Sequence, residues 1–382
     1  MRYTTAGESH GRALVAIVSD VPAGVLLSNA VIDAELARRQ QGYGRGARMD
    51  IERDTATVLS GVRFGRTIGS PVALMIENRD WANWGAAMAV TGDGAGVAPI
   101  TAPRPGHADL SGCQKTGASD VRDVLERASA RETAARVAAG AVARALLESF
   151  AVTVRSWVER IGPVSTGPLG PGGVSAEVVE ASDVRCADAD ASGQMREAID
   201  VAREQGESLG GVFAVCVEGA VPGLGGYADA GSRLDARLAA AVMSIPAIRG
   251  VELGDGFAVA ARVGSEVHDE IVRAPDGRLT RSTNRAGGIE GGMTNGEAII
   301  VRAAMKPIPT LMRPLTTVDL ATGEVADAAR ERSDVCAVPA AAVIGEAEVA
   351  LVLADAYQEM FGRACVADMR AAVAAYRARI GW

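Results

Sequence analysis

Histidine and lysine are both scarce in this chain of 382 residues. Its three histidines are His10, His107 and His268, and its two lysines are Lys115 and Lys306, against 37 arginines. Three dispersed histidines do not form a pattern of metal ligands, so the sequence predicts no metal site. A general drift from lysine to arginine explains most of the excess of arginine over lysine. Lysine is nevertheless a compact point charge and arginine a planar fork, so we expect a retained lysine to do what arginine cannot.

Cysteine, aromatic residues and long apolar runs are also in short supply. The five cysteines are widely spaced and form no CxxC pair, which indicates a reduced, cytoplasmic chain without a disulfide framework or a zinc site. No secretory signal and no run of about 18 apolar residues is evident, so we expect no membrane partner. A net charge of −8 argues against nucleic acid as a partner. With 4% aromatic residues, the core is predicted to be aliphatic and rich in alanine and glycine.

Apolar periodicity predicts strands and helices with no linker between them. The predicted strands lie at 12–18, 55–60, 71–76, 151–161, the start of 212–226, and 297–310. The first predicted helix begins at a cap at Ser28 or Asn29. Further helices are predicted at 119–150, about 190–205, 234–239 and 337–361. Residues 80–118 are rich in glycine, proline and small residues, and we expect a long irregular loop with a functional role there.

The second half of the chain repeats the order of elements in the first. LDARLA at 234–239 resembles IDAELA at 32–37, and each follows a strand that ends in proline and glycine. Each half then continues with further strands and a long helix. We therefore predict one α+β domain over residues 1–382, with two degenerate half-repeats at about 1–160 and 205–365 around a single core.

The glycine-rich stretch GYGRG follows a predicted helix, whereas a dinucleotide fingerprint follows a strand and opens a helix. We therefore reject a Rossmann site. The glycines are instead predicted to form a flexible loop that displays Arg39, Arg45 and Arg48, whose guanidinium groups suit carboxylates or phosphates. A solvated loop in an arginine-rich chain is the alternative.

Two further stretches combine basic groups with an unusual backbone. His107 lies in the turn PRPGHAD beside Arg104, where proline and glycine fix the ring, so a functional histidine competes with a structural one. In LERASARETAAR, Arg127, Ser129 and Arg131 stand at the opening of a helix of small residues, where backbone N–H groups attract anions. A salt-bridged helix face is the alternative hypothesis.

The stretch STNRAGGIEGGMTNGE carries five glycines between Gly287 and Gly296, which predict tight turns or close backbone approach. Lys306 follows in MKPIPT. We expect a rigid glycine and proline cradle around this lysine, suited to a flat polar ring or a phosphate. In ERSDVCAVPAA, Ser333 or Asp334 is expected to cap the helix that follows.

Together these stretches resemble the chorismate synthase family. GESHGRAL, GYGRGARM, RPGHAD, RASARETAARVAAG, AIRGVELGDGF, STNRAGGIEGGMTNGE, MKPIPT and RSDVCAVPAA occur in the family's order over nearly the whole chain. One departure is Asp20, which stands where the family has a turn glycine. The resemblance implies a β-α-β sandwich with internal pseudo-twofold duplication, assembled as a homotetramer. It also implies the anti-1,4-elimination of phosphate from 5-enolpyruvylshikimate-3-phosphate, which needs reduced FMN and gives chorismate.

The resemblance also implies roles for single residues. His10, helped by Ser9, would manage a proton near flavin N1. His107 would protonate the leaving phosphate, and Asp334 would be the base near flavin N5. The substrate's anionic groups would be bound by Arg39, Arg45, Arg48 and Arg131. The implied flavin contacts are Arg127, Ala128, Ser129, Pro246, Ala247, Gly291, Lys306, Pro307, Ile308, Pro309, Thr310 and Arg332.

Two other functions stay open on the sequence alone. One is a flavin oxidoreductase that uses NADPH, because Arg39 and Arg45 match positions assigned to NADPH in family members that reduce their own flavin. If this chain does not reduce its flavin, a separate NAD(P)H-dependent flavin reductase is the implied partner. The other is a non-catalytic binding protein of the same fold. His268 matches no motif of the family, and we expect it to be structural.

Overall fold

The computed structural model describes residues 1–46, 53–331 and 333–382, so the predicted site residues Arg48 and Arg332 lie outside the described residues. The strands within these ranges are β1 (Arg2–Ala6), β2 (Ala13–Ser19), β3 (Ala56–Ser60), β4 (Val62–Arg63), β5 (Arg66–Thr67), β6 (Val72–Glu77), β7 (Thr153–Ile161), β8 (Val164–Ser165), β9 (Gly211–Glu218), β10 (Ile248–Leu253), β11 (Ile271–Arg273), β12 (Leu279–Arg281), β13 (Ile289–Glu290), β14 (Met293–Thr294), β15 (Ile299–Met305), β16 (Thr316–Val318) and β17 (Val325–Asp327). The helices are α1 (Asn29–Gln40), α2 (Trp81–Trp84), α3 (Asp109–Thr116), α4 (Arg122–Ala128), α5 (Thr133–Glu148), α6 (Ala176–Ala181), α7 (Ala189–Glu204), α8 (Leu234–Met243), α9 (Gly264–Val267), α10 (Val338–Phe361) and α11 (Val366–Ile380).

Two antiparallel sheets form the outer layers. The first has the strand order β1-β2-β6-β3, and the second has the order β10-β15-β9-β7-β8. Val15 of β2 pairs with Ala6 on one side and Met75 on the other. In the second sheet, Val215 of β9 lies between Val301 and Ser156. Buried and less buried residues alternate along β2 and β6, so one face of the first sheet is buried and the other is more exposed.

Helices α5 and α10 fill the space between the sheets. Helix α5 packs against β2 and β6, α10 packs against β7 and β9, and the two helices pack against each other. A side chain at Gly140 of α5 would overlap Ala347 of α10, so the predicted close approach of backbones occurs at this crossing. The architecture is the predicted α+β sandwich. Among the described helices, α10 included, none is both long enough and apolar enough to cross a membrane.

The strand order of the first sheet recurs in the second. The order β1-β2-β6-β3 corresponds to β7-β9-β15-β10, and α1 lies between β2 and β3 in the chain as α8 lies between β9 and β10. Helices α5 and α10 each follow the last strand of their unit. This correspondence favours the predicted duplication, which stays a prediction, and it groups β7 with the second unit rather than the first.

Two expectations about helices are wrong. The helix predicted at 119–150 is interrupted at Ser129, whose backbone is extended at φ −64° and ψ 141°, so α4, a 3₁₀ turn and α5 replace one long helix. Neither Ser333 nor Asp334 caps α10, which begins at Val338. The interruption separates α4 from α5 at Ser129, and the late start of α10 leaves the Asp334 carboxylate available for another contact.

Asp20 adopts a φ of 60°, which is the left-handed region that favours glycine. This conformation costs most residues about 1–2 kcal/mol and aspartate less, which explains how Asp20 replaces the expected turn glycine. Arg2 Nε donates to its carboxylate at 3.0 Å. The substitution therefore changes a surface turn.

Candidate active site

A cavity of about 1210 Å³ lies where α5 and α10 meet several loops. Single-ligand pockets typically measure about 300–1,000 Å³, so this cavity has room for more than one ligand. The structure brings the following predicted site residues to its walls: Ser9, His10, Arg39, Arg45, His107, Ala128, Ser129, Arg131, Pro246, Ala247, Lys306, Ile308, Pro309, Thr310 and Asp334. Arg127, Gly291 and Pro307 do not line it. Segments far apart in sequence thus meet at one place, while the role of each residue stays a prediction.

His10 is fixed by contacts with two other segments. Its Nδ1 lies 2.9 Å from Glu126 Oε1, and its backbone N–H donates to Glu126 Oε2 at 2.7 Å. The imidazole stacks on the ring of Trp84, with centroids 3.9 Å apart. Ser9 is held by α4 and by the residue that follows this helix. Its backbone N–H donates to the carbonyl of Glu126 at 2.9 Å, and Ser129 Oγ donates to Ser9 Oγ at 3.1 Å.

His107 is held by a second carboxylate. Its Nδ1 lies 2.5 Å from Asp109 Oδ1, and Arg104 Nε donates to Asp109 Oδ2 at 2.8 Å. Burial alone would raise the pKa of Asp109, but the hydrogen bonds from His107 and Arg104 outweigh burial and hold this pKa well below its usual range. Arg104 also donates to Thr310 Oγ1 at 3.1 Å, which joins the turn to the segment after β15.

Lys306 lies between that turn and β10. Its Nζ donates to the carbonyl of Gly106 at 2.5 Å, and its backbone N–H donates to the carbonyl of Ala247 at 2.9 Å. Burial, and then the charge of Arg249, lowers the pKa of Lys306. Ala247 itself has a φ of 69°, a strained conformation of the kind that clusters at functional sites. The retained lysine is therefore a cation on a rigid part of the wall.

The predicted glycine cradle around Lys306 is wrong in its location. Gly287 has a φ of 64°, and a side chain there would overlap the backbone of Gly254, so the tight turns are real. These turns lie at the end of β15 that is far from Lys306. The seven residues of β15 rise about 3.3 Å each, so the whole length of the strand separates the glycine turns from the lysine. Gly291 lies in the turn between β13 and β14 and does not reach the cavity of this chain.

Two predicted substrate-binding arginines share a buried carboxylate. Asp54 Oδ1 lies 2.6 Å from Arg131 Nη1, and Asp54 Oδ2 lies 3.7 Å from Arg39 Nη1. Arg39 belongs to the last turn of α1 and donates to Thr133 Oγ1 at 3.0 Å, so it is not displayed on a loop as expected. Burial lowers the pKa of Arg39 to about 9. The negative charge of Asp54 opposes this shift, and the positive charge of Arg45 adds to it.

Asp334 is tied to the glycine loop. Its Oδ1 accepts the backbone N–H of Gly46 at 2.7 Å, and its Oδ2 lies 3.3 Å from Arg45 Nη1. The described part of this loop packs against neighbouring segments, while its predicted flexibility stays a prediction. Gly44 has a φ of 86°, and a Cβ there would lie 2.9 Å from Ile199 Cγ2, so glycine is required for a close approach. Arg45 therefore reaches the cavity from an anchored backbone.

Sequence reasoning missed Asp54, Trp84, Glu126 and Arg249, all of which line the cavity or hold residues that do. A signal existed for Trp84, because a tryptophan in a loop of small residues is unusual in a chain with 4% aromatic residues. Glu126 lies within the stretch LERASARETAAR, where it is one of several charged residues. Asp54 lies just before β3 and Arg249 lies within β10, and nothing local distinguishes either residue from a surface charge.

The chain matches the family model for chorismate synthase over residues 1–358. It belongs to the chorismate synthase family. A chorismate synthase of Rubrobacter xylanophilus is 58% identical over 380 residues, which cover 99% of this chain and 97% of that protein. A chorismate synthase of Moorella thermoacetica is 55% identical over 377 residues, with 99% and 98% covered. A solved structure described as a crystal structure of chorismate synthase covers 99% of this chain and 98% of its own, with a TM-score of 0.80 and 41% identity.

Membership of the chorismate synthase family makes this chain an enzyme, a carbon–oxygen lyase that acts on a small molecule. The resemblance noted in the sequence is thereby confirmed, and so is the fold class. The similarity extends over nearly the full length of both curated relatives, so the cavity belongs to a whole enzyme of this family rather than to a shared module.

Proposed function

We propose that the chain catalyses the anti-1,4-elimination of phosphate from 5-enolpyruvylshikimate-3-phosphate with reduced FMN, giving chorismate in the last step of the shikimate pathway. In this reaction a C–O bond breaks and its electron pair leaves with phosphate, and a ring C–H bond breaks and its proton passes to a base. The existing ring C=C bond shifts by one position and a second ring C=C bond forms. The carrying observation is that His10, His107 and Asp334 line one cavity together with a set of cations.

The cavity suits a flat anionic cofactor beside an anionic substrate. Lys306 and Arg249 supply positive charge suited to a phosphate, and Ile245, Ile344 and Pro309 supply apolar surface suited to a planar ring. When bound, reduced FMN would supply electron density to the substrate and take it back, without net redox change. The proposed FMN contacts remain those that the resemblance implied, with Arg127, Gly291 and Pro307 as the three that the cavity lining does not support and Arg332 outside the described residues.

The contacts of His107 support a role toward the leaving group. His107 Nδ1 lies 2.5 Å from Asp109 Oδ1 and 3.1 Å from Arg104 Nη2. We assign Nδ1 as the donor to the carboxylate because that contact is the shorter of the two, so a proton held at Nε2 is the one available to an oxygen of the departing phosphate. This proton would stabilise the negative charge that develops as the C–O bond breaks. Arg104 would keep Asp109 in place through the step.

Asp334 is proposed as the base that takes up the ring proton. Gly46 holds its Oδ1, so Oδ2 is the oxygen proposed to accept the proton. Arg45 lies 3.3 Å from that oxygen and, with Arg39 and Arg131, is proposed to bind the carboxylates and phosphate of the substrate. Arg48 stays part of this proposed set.

His10, supported by Ser9, is proposed to hold or release a proton as charge develops on its side of the cavity. The stack on Trp84 and the bonds to Glu126 support this role, because a proton donor is effective only when its ring is held in place. Ser129, which donates to Ser9, would help to fix the same corner.

We also propose that the enzyme works as a cytoplasmic homotetramer, supplied with reduced flavin by a separate NAD(P)H-dependent reductase. Free cysteines at all five positions support a reducing compartment. Assembly is supported by large apolar side chains that are exposed on the single chain. They include Leu26, Leu59, Phe64, Ile68, Tyr227, Phe257, Leu279 and Val325. Light scattering should give four times the chain mass of 39.2 kDa.

An anaerobic phosphate-release assay tests the proposed reaction. With dithionite-reduced FMN and no NADPH, the enzyme should release phosphate from the substrate, and with oxidised FMN alone it should not. The variants His10→Ala, His107→Ala and Asp334→Ala should each lower kcat by about 10²–10⁴-fold, the contribution of a positioned acid or base. His268→Ala is the matched control, because His268 is exposed and lies outside the cavity.

Absence of phosphate release with reduced FMN would refute the lyase proposal. Unchanged turnover in both His10→Ala and Asp334→Ala would show that the site is wrong. A further reaction with NADPH and oxidised FMN, without dithionite, separates the two sources of reduced flavin, since release there would mean that the chain reduces its own cofactor and needs no reductase.

A further inference from the structure

We propose that Glu126 is a positioning residue for His10, which holds this imidazole in the tautomer with its proton on Nδ1 and so leaves Nε2 as the nitrogen that exchanges protons in the cavity. The catalytic consequence rests on the proposed function of His10. The tautomer itself does not, because it follows from the contacts of the ring.

Both carboxylate oxygens of Glu126 contact His10. Oε1 lies 2.9 Å from His10 Nδ1, and Oε2 accepts the backbone N–H of His10 at 2.7 Å. The carboxyl side chain is 2% exposed, and the guanidinium of Arg122 lies 3.6 Å from Oε1, a set of partners suited to a carboxylate. A carboxylate has no proton to donate, so Nδ1 must be the donor in this contact. In the neutral ring Nε2 then carries the lone pair.

Stacking on Trp84 restricts the alternative orientation of the ring. The two ring planes are 26° apart, and Trp84 is itself held by Asp80, which accepts its Nε1–H at 2.9 Å. If the imidazole turned over within the stack, a carbon would replace Nδ1 beside Glu126 and the charge-assisted hydrogen bond would be lost. Glu126 therefore fixes which nitrogen faces the carboxylate, while Trp84 fixes the plane.

His107 has the same arrangement by another route. Asp109 contacts its Nδ1 from two residues along the same turn, whereas Glu126 reaches His10 from α4, 116 residues later in the chain. Both histidines of the cavity thus have a carboxylate at Nδ1, and for His107 this contact is shorter than the 3.1 Å between Nδ1 and Arg104 Nη2. The recurrence supports a shared requirement for Nε2 as the exchanging nitrogen at both places.

The first test reads the tautomer without using activity. Protein labelled with ¹⁵N-histidine carries only three labelled residues, and the variants His10→Ala, His107→Ala and His268→Ala assign their ¹⁵N signals in magic-angle-spinning spectra of the sedimented enzyme. Near neutral pH we expect His10 to show a protonated Nδ1. A bare Nδ1 with a protonated Nε2 in the unmodified enzyme would overturn the proposal, and this measurement needs no variant at Glu126 to fold.

The second test changes the carboxylate. In Glu126→Gln the amide oxygen can accept only one of the two His10 N–H groups, so the protonated Nδ1 signal should weaken and kcat should fall about 10- to 100-fold, less than for His10→Ala. KM should not rise in proportion, because the substrate's anionic groups are bound elsewhere. Glu126→Asp should restore part of both readouts. Asp123→Asn, an exposed carboxylate on the same helix, is the matched control and should leave both unchanged.

An unchanged His10 spectrum in Glu126→Gln would overturn the positioning role. If the spectrum responds as expected but His10→Ala retains full turnover, the proposed catalytic role of His10 fails while the tautomer assignment stands. The two failures are therefore distinguishable.

Discussion

Replacing Asp54 with asparagine tests whether the buried ion pair organises the arginine wall of the cavity. Asp54 is fully buried and lies 2.6 Å from Arg131 Nη1, whose side chain is 3% exposed. Arg39 lies 3.7 Å from the other oxygen and is nearly as deeply buried. The substitution keeps the shape of the side chain but removes the negative charge between two guanidinium groups.

The expected loss of stability follows from the charges that remain. Removing one partner of a buried ion pair costs about 3–5 kcal/mol, because the other charge stays buried without compensation. The asparagine oxygen can still accept one hydrogen bond from Arg131, so we expect the lower end, about 3 kcal/mol. An unfolding entropy of about 2.1 cal/mol/K per residue gives about 0.8 kcal/mol/K for 382 residues. The Tm of Asp54→Asn should therefore fall by about 4 °C.

The chain offers a control with the same bond length. Arg278 Nε and Asp276 Oδ2 are also 2.6 Å apart, but both side chains are about half exposed. Calorimetry at one protein concentration and scan rate should show no measurable change for Asp276→Asn, as for most surface pairs. The effect of Asp54→Asn should persist in about 1 M salt, which screens exposed charges. Equal Tm changes in the two variants would refute the argument from burial.

Three further substitutions test packing and titration. Gly140→Ala should destabilise the protein by about 1–3 kcal/mol, because the new methyl group overlaps Ala347 at the crossing of α5 and α10. In Gly193→Ala of α7 the new methyl group meets open space, so this control should stabilise the protein by about 0.5–1 kcal/mol. If the urea denaturation curves of Gly140→Ala and Gly193→Ala shift in the same direction, the packing at the helix crossing is contradicted. Hydrogen bonds from His107 and Arg104 outweigh burial and lower the pKa of Asp109. The stabilisation of the folded state by this carboxylate is therefore fully present above the usual aspartate pKa of about 3.9, and it is lost as pH falls through the lower pKa of the folded state. The Tm difference between the unmodified enzyme and Asp109→Asn should thus be full near pH 6 and shrink below about pH 4, and a constant difference down to about pH 3 would contradict the assignment.

Local signals in the sequence were sufficient for most of the fold. Strand β2 overlaps the predicted strand at 12–18, and helix α1 follows the predicted cap at Ser28. Ile32 and Leu36, which share one face of this helix, are fully buried. The tight turns at the glycines after Arg285 also occurred as expected. These features depend on neighbours within a few residues, which is the range that periodicity and backbone preference report.

The errors arose where tertiary contacts override local preference. Ser333 and Asp334 have the chemistry of helix caps, but Asp334 instead accepts the backbone N–H of Gly46 from a segment 288 residues away. Arg39 belongs to a helix that the sequence did predict, yet Thr133 and Asp54 decide where its guanidinium lies. Partners of this kind are separated by long stretches of chain, so no local pattern could identify them. The family resemblance named candidate residues for the site and not the groups that hold them.

Asp54 also bears on which arginines an incoming substrate would engage. Because it partly neutralises Arg39 and Arg131, an anion entering the cavity meets less net positive charge than those two guanidinium groups alone would provide. In Asp54→Asn that charge is uncompensated, so inorganic phosphate should bind more tightly even though the folded protein is less stable. A ligand that binds only the folded state raises stability with its occupancy, so phosphate should raise the Tm of Asp54→Asn more than that of the unmodified enzyme. An equal rise in both would mean that the anion does not contact Arg39 or Arg131, and the substrate's anionic groups would then have to be assigned to Arg45 and Lys306 instead.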